Sequence, residues 1–266
     1  MDRRKFLTFV GGAGALAAMN ANQKADALEQ AMGQELEENQ LGRLRKSAIC
    51  RAYGADDSWD RGTANNAKYL HMGEDPRLPK MSEKPTLLEF FDKRIGHSSH
   101  LLQSARLAKL NGLPEKIVLA CLLHDISVIA YIAGDHGYYG AALVAPYVDE
   151  EVSWAIKYHQ SLRFIPDEDV GYPYPEAYIR YFGEDYKPEP YIYKDAEYAR
   201  NHKWYMTARQ ICINDVYSFD PNVTVKLEDF HDIIGRNWRD PEEGLGFDGS
   251  PSAHMWRTMI YPNNSL

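Results

Sequence analysis

HLLQSARLAKLNGLPEKIVLACLLHD, residues 100–125, decides how the rest of this chain is read. Asn111-Gly112-Leu113-Pro114 marks a turn, so the stretch divides into two helices, the second predicted to run from Glu115 to about Ile129. That second helix is apolar nearly all round, which belongs in a core rather than on a surface. His124 and Asp125 nevertheless sit inside it. An unpaired buried charge costs several kcal/mol, on the order of the stability of a whole domain, so both side chains need partners. A metal ion suits an imidazole and a carboxylate at once.

The surrounding composition is that of one ordinary globular domain: 266 residues, 44% hydrophobic and 26% charged. Cys50, Cys121 and Cys212 are odd in number and widely spaced, so they make neither a disulfide framework nor a zinc ribbon. Cys121 and Cys212 lie in apolar helical runs and read as small buried hydrophobes. A net charge of −8 with no basic cluster beyond the N-terminus argues against a nucleic-acid partner and for small-molecule chemistry.

Residues 1–27 carry Arg3-Arg4, then Phe6-Leu7, then a short Gly/Ala-rich apolar run and the small-x-small site Ala25-Asp26-Ala27. This resembles a twin-arginine export signal, with a run too short for a comfortable membrane span. It predicts an exported, periplasmic or extracytoplasmic protein beginning near Leu28, with no stable membrane insertion once the signal is removed. Residues 28–85 read as an N-terminal extension. Its first part, 28–48, is a polar helix or linker with no function expected, and 52–85 is irregular, pinned by Trp59, Tyr69 and Leu70, with His71 on the surface. A helical stripe then begins with Leu87, Leu88, Phe90 and Phe91.

Beyond residue 126, Gly134 closes one segment and Asp135 or His136 opens the next helix. Asp149 is an N-cap candidate, with Glu150 and Glu151 in a first turn that favours acids. The helix it opens, running to about Phe164, puts Val152, Ile156, His159 and Arg163 on one inward face. Residues 165–200 hold eight tyrosines and five prolines and cannot be one helix. They either wrap the domain or line a substrate entrance. A helix from His202 to about Phe219 aligns Thr207, Ile211, Asp215 and Phe219, and a short one follows from Leu227 to Ile234. The tail, 236–266, is Gly/Pro/Asn-rich coil packed on the domain.

His100, His124, Asp125, His136, His159 and Asp215 are therefore inward polar residues on four or five core-facing helices. Hydrogen bonds alone hardly satisfy so many. Four imidazoles and two carboxylates suit two first-row metal ions in a helical bundle.

The order H…HD…H…H…D, with H-x3-S-A-x-L-A, a turn and V-x-A-C-L-L-H-D-I, resembles the HD-domain superfamily of helical metalloproteins over about residues 86–235. The resemblance implies an all-α HD-domain helical bundle with irregular N- and C-terminal extensions. It also implies a core site of His100, His124, Asp125 and Asp215, Asp125 bridging two metals, with His136 and His159 as ligands that admit the second. The spacing of His136, His159 and Arg163, and NDVYSFD around Asp215, are similar to the mixed-valent di-iron oxygenases that include myo-inositol oxygenase and the phosphonate-cleaving enzymes. Those enzymes usually carry lysine where this chain has Arg163, which is still cationic and able to clamp a carboxylate or phosphate. The chain lacks their Ser/Gln-rich phosphonate-contacting segment and the Tyr and Glu before His100.

The resemblance thus implies two metal ions, with iron expected and Mn, Zn or Mg as alternatives. Asp125 and Arg163 would serve catalysis, and Arg163 with His97, one turn before His100, would contact the substrate. His97 also fits a plain surface histidine. The leading expectation is an oxygenase that consumes O2 and acts on a small anionic or polyhydroxylated molecule. The alternative is a metal-dependent phosphohydrolase of the same superfamily, since two-metal hydrolases also supply additional histidines. A binding module without catalysis ranks last because every ligand position is filled.

Overall fold

The computed structural model describes residues 3–19, 23–25, 27–29, 31–32, 35–36, 86–94, 98–129, 135–184, 186–216 and 218–239. Cys50, Trp59, Tyr69, Leu70, His71, His97 and the tail beyond 239 lie outside the described residues. Among those described the fold is all-α: helices carry the structure, and the only β pairing is an isolated bridge between Asp167 and Tyr172.

Two short helices open the chain, α1 (Arg3–Phe9) and α2 (Ala13–Ala18), and α3 (Leu87–Arg94) leads into the main body. There α4 (Ser99–Leu110) and α5 (Glu115–Leu123) form an antiparallel pair across the predicted turn. Gly112 in that turn has φ 67°, a left-handed conformation that glycine takes without steric cost. Seven of the nine residues of α5, Ile117 to Leu123, are buried. Each large aliphatic side chain among them contributes about 1.5–3 kcal/mol of burial, which makes α5 the centre of the core.

The remaining body is α6 (Ile126–Ile129), α7 (His136–Val144), α8 (Glu150–Leu162), α9 (Glu176–Phe182), α10 (Pro190–Arg200), α11 (Tyr205–Asp215) and α12 (His231–Asn237). Helix α8 is the hub, packing on α5, α7, α10 and α11. Gly137 permits the closest of these contacts, because a Cβ there would stand 2.8 Å from the Lys157 carbonyl oxygen and 2.9 Å from that of Ile156. At the C-terminal end Trp238 stacks on Tyr147 with ring centroids 4.8 Å apart, and the Arg239 N–H donates to the Tyr147 carbonyl at 2.8 Å.

Several boundaries differ from the sequence expectation. The helix expected from Glu115 to Ile129 is interrupted at His124-Asp125. His124 Nδ1 donates to the Cys121 carbonyl at 2.7 Å, competing for the acceptor that the Asp125 N–H would use to continue the helix. The helix expected from His202 starts at Tyr205 and ends at Asp215. His202 stacks on Trp154, centroids 4.1 Å apart, and this contact holds Asn201–Trp204 as a turn between α10 and α11. Helix α8 ends at Leu162, and the stretch expected as a helix from Leu227 begins as a 3-10 turn (Leu227–Phe230) before α12.

A second apolar cluster lies apart from the main core. Phe6, Ala25, Leu28 and Ala31 pack in it with Phe164, Tyr178, Tyr181 and Ile192. Residues expected to belong to a removable leader, Phe6 and Ala25, are thus fully buried here against the body of the protein. Tyr178, Tyr181 and Ile192 of the Tyr/Pro-rich segment form the other wall of this cluster. No helix among the described residues is long and apolar enough to cross a membrane.

Candidate metal centre

The structure brings His100, His124, Asp125, His136, His159 and Asp215 to one place. His100 comes from the first turn of α4, His124 and Asp125 from the break after α5, and His136 from the start of α7. His159 and Asp215 come from the last turns of α8 and α11. His124, His136 and His159 are all but inaccessible to solvent, and Asp125 and Asp215 nearly so.

On one side His100 Nε2 lies 3.2 Å from His124 Nε2 and 2.9 Å from Asp215 Oδ1. On the other, His136 Nε2 lies 3.1 Å from His159 Nε2. Asp125 stands between them. Its Oδ1 is 3.4 Å from His136, 3.8 Å from His159 and 3.7 Å from His124, while its Oδ2 is 3.8 Å from His100. Ligands about 2.1 Å from a metal are separated by roughly 3.0 Å at right angles and roughly 3.4 Å in a tetrahedron, so these spacings suit a shared ion.

The hydrogen bonds on the far side of the rings point the same way. Nδ1 of His124 faces the Cys121 carbonyl, Nδ1 of His159 the Ile156 carbonyl at 2.5 Å, and Nδ1 of His100 the Ser218 carbonyl at 3.3 Å. Each carbonyl accepts from Nδ1 and turns Nε2 toward the centre, the orientation metal-binding histidines use. Phe219 stacks on His100, centroids 4.2 Å apart, and holds that ring in plane. At this centre Asp125 Oδ1 is buried without a hydrogen-bond partner. The buried His/Asp groups could hold a metal ion, which would satisfy that oxygen.

The electrostatics carry the same imprint. Burial disfavours a charged His124, yet the carboxylates of Asp125 and Asp215 outweigh it and raise this imidazole to about 9. His159 is pushed down to about 4, chiefly by burial and by the neighbouring His136 and His124. Asp125 and Asp215 are buried, and the surrounding imidazoles still hold both well below the usual carboxylate range. Charged carboxylates beside a neutral His159 are protonation states a metal needs, whereas His124 would have to give up the proton that the two carboxylates hold on it.

Arg163, just past the end of α8, is buried and lies beside this cluster, but its guanidinium meets Glu29, from the segment in which no function is expected. Glu29 Oε1 and Oε2 accept from Arg163 Nη1 at 2.6 and 2.7 Å, and Oε1 also accepts from the Tyr178 hydroxyl at 3.1 Å. A ligand atom of Glu29 lies within 4.8 Å of those of Asp125 and His136, so Glu29 forms a metal-competent group with them. Burial pushes the Glu29 carboxyl up to about 7 against the pull of Arg163, helped by the carboxylates of Asp215 and Asp125. Thus part of the segment 28–48, expected to be a functionless linker, reaches the candidate centre. The available sign was the apolar spacing of Ala25, Leu28, Met32 and Leu36, which marks a docked helical face.

A second buried arginine, Arg209, supports the frame. It donates through Nη1 to the Leu162 carbonyl at 2.9 Å and lies over the ring of Tyr172, fixing α11 to the end of α8 just below Arg163. Cys121 and Cys212 are buried, burial raises both thiols to about 12, and neither joins the metal-competent groups among the described residues.

Comparison with protein-family models and with curated proteins finds no match for this chain. The site therefore has to be read from its own geometry.

Proposed function

We propose that this protein is a dinuclear metal-dependent oxygenase of the HD type, with iron as its metal, acting on a small anionic or polyhydroxylated molecule. One observation carries the reading. His136 and His159 stand 3.1 Å apart on one flank of Asp125, His100 and Asp215 stand 2.9 Å apart on another, His124 Nε2 approaches His100 at 3.2 Å and Asp125 Oδ1 at 3.7 Å, and Arg163 lies one turn beyond His159. Two half-sites sharing a carboxylate give places for two ions, and a cation beside them suits an anionic substrate.

In this reading His100, His124 and Asp215 hold one ion, His136 and His159 hold the other, and Asp125 bridges them. The bound pair would supply a redox couple for O2 and a Lewis acid for a substrate oxygen. Arg163 orients the substrate by gripping a carboxylate or phosphate with charge-assisted hydrogen bonds. The carbonyls of Cys121 and Ile156 keep the imidazoles turned inward, and the apolar walls of α5 and α8 keep bulk water from the reacting groups. Extending the proposal to its address, the paired arginines would direct export of the folded, metal-loaded chain. Arg3→Lys with Arg4→Lys should then retain it in the cytoplasm, and unaltered export would refute that part.

The test is substrate-dependent oxygen uptake by iron-loaded protein across a panel of small hydroxy acids, polyols and phosphonates. Arg163→Ala should raise KM strongly while leaving metal content unchanged. Turnover that persists under strict anaerobiosis, or phosphate release supported by Mg2+ or Zn2+, would replace the oxygenase by a phosphohydrolase.

A further inference from the structure

Glu29 raises a question the proposed reaction leaves open. Its carboxylate sits where Arg163 would be expected to hold a substrate anion, and it comes from a segment with its own anchorage. Leu28 and Ala31 on either side are buried, and with Phe6 and Ala25 they dock on Phe164, Tyr178, Tyr181 and Ile192 rather than in the main core. Phe6 meets Tyr181 edge to face at 5.2 Å. The N-terminal segment is thus fastened by an apolar patch and inserts one acid beside Asp125 and His136.

We propose that Glu29 is a tethered, displaceable occupant of a carboxylate-binding site, and that the ligand which replaces it is a small carboxylate. This rests on the reading of the buried cluster as a metal centre. The recognition elements are those already engaged with Glu29: the Arg163 Nη1 donor shared by both oxygens and the Tyr178 hydroxyl on one of them. Together they match a planar, two-oxygen anion. The tether keeps the site closed by competition, because an external carboxylate binds only to the fraction of molecules in which Glu29 has withdrawn. If that fraction is about one tenth, the apparent Kd is raised about tenfold. Cutting after Ala27, as an export signal would require, removes Phe6 and Ala25 from the anchor and leaves only Leu28 and Ala31, so processing would weaken the hold on the plug.

The experiment is calorimetric titration of acetate, with inorganic phosphate as comparison, into the full-length iron-loaded protein and its Glu29→Gln variant, with metal content measured on both. The expected result is acetate binding at least tenfold tighter in Glu29→Gln, with unchanged metal content and no comparable gain for phosphate. Phe6→Ala, which loosens the anchor without touching the carboxylate, should shift acetate binding in the same direction. Equal acetate affinity in all three proteins at full metal content overturns the plug and leaves the metal centre standing. Metal lost from Glu29→Gln overturns it by making Glu29 a permanent ligand, and a larger gain for phosphate overturns the carboxylate assignment. Absence of bound metal in the wild type removes the centre and the proposal together.

Discussion

On the proposed reading, stripping the metal from this protein should cost it a large part of its stability, and the structure says where the loss would arise. Asp125 and Asp215 are buried with four imidazoles whose Nε2 atoms converge on them, and Asp125 Oδ1 has no hydrogen-bond donor. An ion bound by the folded chain alone adds about 4.1 kcal/mol at a thousandfold excess over its Kd. For a chain of this size each kcal/mol moves the melting temperature by about 2–4 °C, so chelating one ion should lower it by roughly 8–16 °C. Asp125→Ala should melt low with or without metal, because the residue common to both half-sites is gone. In chelator it should lie much closer to wild type than it does in metal, since Asp125 then has only its imidazole neighbours to offset its burial. Differential scanning calorimetry of the two proteins with Fe(II) and with a strong chelator makes the comparison. A wild-type transition that ignores chelator, or one that falls equally in both proteins, would show that these side chains form a hydrogen-bonded core and not a metal centre.

Two further outcomes test the frame around the centre. Gly137→Ala forces a methyl to within 2.8–2.9 Å of the Lys157 and Ile156 carbonyl oxygens, and pushing α7 off α8 should cost about 1–3 kcal/mol in urea unfolding and separate His136 from His159. Stability within about 0.5 kcal/mol of wild type would mean that the two helices are not packed as described. Asp167 accepts from the Tyr205 hydroxyl and from Arg200 at 2.9 Å, and the Tyr205 hydrogen bond is the main reason that its carboxyl is held below the usual range. A depressed carboxyl contributes fully above its unfolded value, about 3.9, and loses that contribution as pH falls through the folded one. With Arg200 half-exposed, Asp167→Asn should cost about 1 kcal/mol at pH 7, a gap that narrows below about pH 4. A gap that widens on acidification would reverse the sign argument.

The distribution of what was legible follows from the range of the interactions. The antiparallel pair around Asn111–Pro114 and the inward face of Val152, Ile156, His159 and Arg163 are written in local periodicity, and the structure has them so. The break at His124-Asp125 escaped because periodicity registers an apolar run but not a ring nitrogen competing for the carbonyl three residues back. The late start of α11 depends on Trp154, some fifty residues earlier, stacking on His202. Glu29 was the largest omission. Its partner Arg163 is 134 residues away, and nothing in a stretch as polar as LEQAMGQELEE distinguishes one inserted acid from its solvated neighbours. Short-range patterns thus located the helices that carry the clustered histidines and aspartates, whereas the approach of Glu29 from outside was a tertiary fact.

Counting the metal is the most direct test of the whole account. Elemental analysis of anaerobically purified protein, paired with electron paramagnetic resonance, should find two ions per chain in the wild type, about one in His136→Ala or His159→Ala, and none in Asp125→Ala. Wild-type protein without stoichiometric metal, or Asp125→Ala with its full complement, would contradict it.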